Sequence, residues 1–168
     1  LDALALQVAQ MHAVAEVSQP GAPHGDPLAI CHAAADNFGT LRGRLHGATE
    51  RATLQRLLRW TRRESARLAP LFHQRWEQGW IRECHGDLHL GNLVLLDGKP
   101  VPFDAIEFAP AFRWVDVMAD LAFLVMDLLH RDRPDLAWRV LNTWLEQTGD
   151  YAGLETLRYF LVYRALVR

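Results

Sequence analysis

At 168 residues, half of them hydrophobic and 23% charged, the chain is sized for one globular domain able to bury about 70% of the surface it exposes unfolded, and disordered, collagenous and disulfide-framework classes are excluded. A net charge of −2, with arginines interleaved among acids, argues against a nucleic-acid groove, which needs a clustered cationic surplus. Two cysteines, Cys31 and Cys84, fit a reducing cytoplasm and leave room for at most one disulfide, and the longest apolar run, Leu121 to Met126, is far short of the roughly 20 residues that cross a bilayer.

Leu1, Leu4, Val8, Met11 and Ala15 recur at helical steps, so the chain opens on a helix. Pro20, Gly21, Pro23, Gly25 and Pro27 break it. A short helix is expected over Leu28–Asn37, then a connection over Gly39–Gly47. From Thr49 to Gly79 the spacing of Leu54, Leu57, Leu58, Leu68, Leu71 and Phe72 is again helical, and Pro70 either divides this stretch or occupies the first turn of a second helix. Arg59, Arg62, Arg63 and Arg67 read as its solvated face.

The character changes at Trp80. Ile81 to Cys84 reads as a strand, and the next eight residues, His85-Gly86-Asp87-Leu88-His89-Leu90-Gly91-Asn92, follow neither period and form a loop. Leu93–Leu96 and Val101–Phe103 flank Asp97-Gly98, a pair suited to the positive φ values of a tight hairpin turn. Pro100 and Pro102 leave one edge of that ribbon open. Trp114 to His130 is apolar nearly all round and reads as a central helix. Leu136 to Gln147 follows, closed by Gly149, and a last helix starts at Asp150 or Tyr151. The expected class is mainly α with a small β-hairpin, and the six tryptophans are expected in the core.

The informative constellation lies beside the hairpin. A two-residue turn at Asp97-Gly98 pairs residue 96 with 99 and 93 with 102, which sets Asn92 opposite Phe103 and next to Asp104; a slip of one at Pro100 leaves the same side chains at that end. Asp87, Asn92 and Asp104 then gather at one end of a ribbon, and their carboxylate and amide oxygens suit a hard cation such as Mg²⁺. Asp120, in an apolar helix, needs donors of its own, because an unpaired buried charge costs several kcal/mol.

An Asp followed five residues later by Asn, with His two before the Asp, then a hairpin and a second Asp, resembles the layout of kinase-fold phosphotransferases. The run His85-Gly86-Asp87-Leu88-His89-x-Gly91-Asn92 resembles the aminoglycoside phosphotransferase family, which also holds choline, homoserine and other small-molecule kinases. With Arg82-Glu83-Cys84 before it and Phe103-Asp104-Ala105-Ile106-Glu107-Phe108 after it, it is similar to a bacterial branch in which a kinase-like domain precedes a P-loop ATPase-like domain. The resemblance implies that residues 1–168 are the helical C-terminal lobe of a protein-kinase-like fold, with the catalytic loop at 85–92 and a metal-binding hairpin at 93–104. It implies ATP as co-substrate, a small hydroxylated molecule such as an aminoglycoside as acceptor, Asp87 as base, Asn92 and Asp104 as Mg²⁺ ligands, and His85 and Asp120 as loop supports.

The same resemblance exposes departures. Gly86 stands where protein kinases clamp a phosphate with Arg, and Asp104-Ala105-Ile106 replaces Asp-Phe-Gly. There is no Gly-rich loop, and Lys99, the one lysine, sits in the hairpin turn. The nucleotide-covering lobe is therefore expected upstream of Leu1, and this piece alone is expected to be inactive. His89, Glu107 and Asp116 are candidates for a substrate rim, although Glu107 and Asp116 also read as salt-bridge partners of arginines such as Arg113. Rival readings are a degenerate kinase-fold binding module and a metal-dependent phosphoesterase. The latter lacks ligands, since only His130 follows His89, and a zinc pair at His85 and His89 lacks the helix and the adjacent Glu such a site uses.

Overall fold

The computed structural model describes residues 1–168. Its order is α1 (Asp2–Val14), α2 (Ala29–Arg44), α3 (Ala48–Glu77), β1 (Ile81–Glu83), β2 (Leu93–Leu96), β3 (Lys99–Pro102), β4 (Trp114–Asp116), α4 (Val117–His130), α5 (Pro134–Thr148) and α6 (Leu154–Val167). The chain is mainly α with a small amount of antiparallel β structure. No helix is long and apolar enough to cross a membrane.

Helix α4 is the axis. Every residue from Val117 to Leu128 is buried, because a sequence without a polar face has to be covered all round. α5 and α6 pack on it, α1 packs on α5, and α2 lies against α3 and α6. Trp144, Phe72, Phe160, Leu68 and Leu88 fill the core between them, each apolar side chain contributing about 1.5–3 kcal/mol through burial. Trp144 is fully buried, whereas Trp138 is a surface residue, 45% exposed.

Three segments differ from the periodicity reading. α2 continues to Arg44, taking Gly39 and Gly43 into the helix. α3 is one 30-residue helix that runs through Pro70. The proline removes the N–H that the Ala66 carbonyl would accept, but Ala66 and Pro70 are both exposed, so the vacated acceptor lies on the solvent side, where its loss costs least, and the helix continues. Trp114–Asp116 is a strand rather than the start of a helix: Ile81 pairs with Asp116 and Glu83 with Trp114, and α4 begins only after Asp116, whose carboxylate caps it by accepting from Met118 N at 2.8 Å.

The β2–β3 hairpin has the register set by its turn. Leu93 pairs with Pro102 and Leu96 with Lys99, with Asp97 at φ +51° and Gly98 at φ +74°, the combination a two-residue turn requires. Leu95 and Leu96 are exposed, as is Lys99.

A buried ion cluster ties the helices to the small sheet. The Arg75 guanidinium, 1% exposed, meets Asp116 through two hydrogen bonds of 2.6 and 2.8 Å and Asp150 through two of 2.7 Å, and lies 5.4 Å from the Trp80 ring centroid. Asp150 also accepts from Gly153 N at 3.1 Å. Burial alone would lower the arginine's pKa, but the four charge-assisted bonds outweigh it and hold it above its usual value.

Candidate active site

The loop from His85 to Asn92 leaves β1 and crosses one face of α4. Two carboxylates on that face hold it. Asp120 Oδ1 accepts from Gly86 N at 2.9 Å and Oδ2 from His85 N at 3.3 Å. Asp127 Oδ2 accepts from Leu90 N at 3.0 Å. A separation of seven residues is two helical turns, about 10 Å along the axis and on one side of the helix, so one carboxylate reaches each end of the loop. Between these anchors Leu88 is fully buried. Asp127 Oδ1 pairs with Arg131 at 3.5 Å and with Arg168.

Gly86 is required where it stands. Its φ is +83°, and a Cβ would lie 2.8 Å from the Phe112 carbonyl oxygen. Its own carbonyl accepts from Arg164 Nη1 at 2.9 Å, while Arg164 Nε donates to Ala119 O at 3.0 Å. The peptide before Asp87 is thus fixed on both sides.

Asp87 is half-buried, with 37% of its side chain exposed. Asn92, buried in the single helical turn Leu90–Asn92, donates through Nδ2 to Asp87 Oδ2 at 3.1 Å and to Asp87 O at 3.0 Å. His89 Nδ1 accepts from Gly91 N at 3.0 Å, so the neutral ring carries its hydrogen on Nε2, which lies 3.5 Å from Asp87 Oδ2. Asp87 Oδ1 has no protein partner. His85, buried, donates from Nε2 to Phe103 O at 2.8 Å and accepts from Asp87 N at Nδ1, 3.3 Å away.

The backbone is held on both sides of Asp104. Phe103 N donates to Asn92 O at 3.0 Å, and Ile106 N to His85 O at 3.2 Å. Asp104 itself has φ +61° and is exposed. A non-glycine residue there costs about 1 kcal/mol or more, strain that tends to gather at functional sites. Neither its carboxylate nor Asn92 Oδ1 accepts a protein hydrogen bond. Asp87 Oδ1, Asn92 Oδ1 and the Asp104 carboxylate are hard oxygen donors without a protein partner, the donor chemistry that suits Mg²⁺.

A second group, His12, Cys84 and Asp120, has ligand atoms within 4.8 Å of one another, but its hydrogen bonds are already spent. The Trp144 indole N–H donates to His12 Nδ1 at 3.2 Å, leaving His12 Nε2 to donate to Asp120 Oδ2 at 3.1 Å. Cys84 Sγ donates to Val115 O at 3.6 Å. Burial, with the anions of Asp120 and Asp116, pushes the thiol well above its usual pKa, so it is the protonated form that a metal would have to displace. Burial acts to raise the Asp120 carboxyl as well, yet the hydrogen bond from His12 and the nearby Arg164 cation outweigh it and hold it below the usual carboxylate range. The trio is a hydrogen-bonded support for the loop.

Beside Asp87 opens a cavity of about 630 Å³, walled by α2, the 106–115 segment, α4 and α6. Asp116 lines it but is committed to Arg75 and Met118 N. Glu107 is exposed and His89 packs edge-on against Phe123 at 5.3 Å; neither lines the cavity. Arg113 pairs with Glu83 at 3.3 Å rather than with Glu107 or Asp116. His12, Asp127 and Arg164 were not among the residues singled out as a site. Only Asp127 carried a local signal, its seven-residue offset from Asp120. A further cavity of about 680 Å³ between α1 and α5 contains none of the loop residues.

No family model matches the chain, and no solved structure matches it. All 168 residues align at 29% identity with uncharacterized proteins of Mycobacterium tuberculosis, in strains CDC 1551 and H37Rv, and of Mycobacterium bovis. The chain spans about a third, 34%, of the length of these relatives.

Proposed function

We propose that this chain is the acceptor-binding and catalytic lobe of an ATP-dependent phosphotransferase acting on a substrate hydroxyl. The observation that carries the reading is the loop itself: a half-open aspartate oriented by an asparagine amide, with the asparagine oxygen and a second, positive-φ aspartate after the hairpin left without protein partners. In this reading Asp87 Oδ1 takes the proton of the acceptor alcohol as its oxygen attacks the γ-phosphorus and the bond to the ADP oxygen breaks. Asn92 and Asp104 would hold Mg²⁺, which supplies charge neutralisation on the phosphates. Asn92 Nδ2 keeps Asp87 Oδ2 occupied, so Oδ1 is the basic oxygen presented to the acceptor. His85, Asp120 and Asp127 fix the backbone that carries these groups, which is what a reaction dominated by positioning and electrostatics asks of the protein.

The nucleotide-covering lobe and a P-loop ATPase-like domain belong to this proposal as parts of a longer protein, in keeping with relatives about three times as long. The free thiols of Cys31 and Cys84 support a cytoplasmic setting. The test uses the full-length protein, with ATP consumption followed over a panel of hydroxyl compounds with and without Mg²⁺. Asp87→Asn should lower kcat by about 10²–10⁴-fold while nucleotide binding persists. Wild-type turnover by that variant would remove Asp87 from the chemistry and the reading with it.

A further inference from the structure

We propose that the acceptor is a largely apolar, non-anionic alcohol that carries a carbonyl-type oxygen at a distance from its hydroxyl. This inference rests on the phosphotransfer reading and adds the substrate class to it. The cavity beside Asp87, about 630 Å³, has the capacity of a drug-sized ligand site. Its wall is mostly apolar and strongly aromatic, with Phe108, Phe112, Trp114, Phe123 and Tyr163 among the lining residues. Phe108 is 84% exposed and Phe112 51%, so the mouth presents aromatic surface that an apolar body would cover.

Two donors on the same wall lack partners. Asn37 Nδ2 and Arg164 Nη2 are buried without a hydrogen bond, and both residues line the cavity. Arg164 is 4% exposed, and its Nε and Nη1 are satisfied by Ala119 O and Gly86 O. Its guanidinium also lies over the Phe123 and Tyr163 rings, 4.9 and 5.2 Å from their centroids. A buried N–H without an acceptor is a standing cost that a ligand oxygen removes.

Charge selects against anions. A carboxylate or phosphate would meet Asp87, Asp26 and Asp36, which all line the cavity, with Asp26 and Asp36 exposed. A largely apolar body with one hydroxyl for Asp87 and one oxygen acceptor for the orphan donors matches the aromatic wall and the two unpaired N–H groups.

The test compares two neutral probes, testosterone and 4-(hydroxymethyl)benzamide, with the polycation kanamycin. Binding is measured by equilibrium dialysis and phosphoryl transfer from ATP with the full-length protein and Mg²⁺. A neutral probe should be phosphorylated with kcat/KM at least tenfold above kanamycin. Asn37→Ala, at a half-exposed helix position that tolerates truncation, should raise KM for that probe about five- to a hundredfold, the range expected when a buried donor and its acceptor are separated. An analogue lacking the carbonyl should lose the same factor on the wild type and little more on the variant. Preferred phosphorylation of kanamycin would overturn the substrate class and leave phosphotransfer standing. Binding of a neutral probe, weakened by Asn37→Ala but with no transfer to any acceptor, would support the ligand class and overturn the phosphotransfer reading. Failure of both neutral probes to bind would overturn this inference.

Discussion

Asp116 and Asp120 stand one turn apart at the start of α4, both buried, and they are satisfied in opposite ways. Asp116 meets a guanidinium and its own helix N-terminus. Asp120 meets two N–H groups of the 85–92 loop and a histidine from α1. The Arg75 cluster joins α3, β4 and the α5–α6 connection and touches no loop donor, so its geometry serves cohesion. The Asp120 cluster converts a buried charge into a fixed loop conformation. Two carboxylates of the same type, four residues apart, thus divide the tasks of holding the domain together and aiming Asp87.

The largest effect is expected on the cohesive side. Arg75→Met leaves Asp116 and Asp150 buried without their cation and should cost about 3–5 kcal/mol or more, read as a fall in the urea midpoint. Adding Asp116→Asn and Asp150→Asn keeps the caps on Met118 N and Gly153 N while removing both orphan charges, and should restore most of the loss. If the triple variant were no more stable than Arg75→Met, packing of the arginine stem rather than its charge would be the dominant contribution.

Asp120→Asn should divide the two clusters by function. The amide can offer its oxygen to the loop, but its N–H₂ then faces His12 Nε2–H, donor against donor. We expect a fall in kcat of about 10²-fold, beyond what the stability change explains, with nucleotide affinity changed much less. The acid limb adds a second readout. Because the folded carboxyl lies below its usual value of 3.8, Asp120 stabilises the fold fully above that pH and the contribution is lost as pH falls through the folded value. Between pH 5 and about pH 3 the wild type should lose more stability than Asp120→Asn; equal slopes would show that Asp120 is not a source of the acid sensitivity.

The expected mid-sized effect concerns the other loop anchor. Asp127→Ala removes the acceptor of Leu90 N and loosens the turn that carries Asn92, so kcat should drop about tenfold and half-saturation with Mg²⁺ should rise. Asp127→Asn keeps an acceptor oxygen and should recover most of both. Loss of stability without any change in the Mg²⁺ titration would reduce Asp127 to a fold residue.

What the sequence disclosed follows the range of the interactions involved. The hairpin register was legible because Asp97 and Gly98 impose it locally, and α4 because its apolar run admits no exposed face. The Trp114–Asp116 strand was misread as helix because three residues become a strand only through their partner β1, more than 30 positions away. The break expected at Pro70 failed because its cost depends on whether the Ala66 carbonyl faces water, a tertiary fact. The 85–92 loop that carries Asp87 and Asn92 could be recognised by its spacing, and Asp120 by its apolar surroundings. His12 could not, since its partners Asp120 and Trp144 lie 108 and 132 residues along the chain, and on its own helix it is one more position on a buried face.

The smallest effect tests how His12 is oriented. An indole N–H can only donate, so Trp144 forces His12 Nδ1 to accept and Nε2 to carry the hydrogen toward Asp120. In Trp144→Phe that constraint disappears, but the tautomer with Nε2–H still satisfies Asp120, so loss of the hydrogen bond itself should cost about 0.5–1.5 kcal/mol, to which the volume lost at a fully buried site adds a packing cost, and kcat should fall less than about threefold. The ring ¹⁵N shifts should report a single Nε2–H tautomer in the wild type and a mixture in the variant. An unmixed Nε2–H ring in the variant would mean that Asp120 alone sets the tautomer, and the support of the loop would then end at His12 rather than reaching through it to α5.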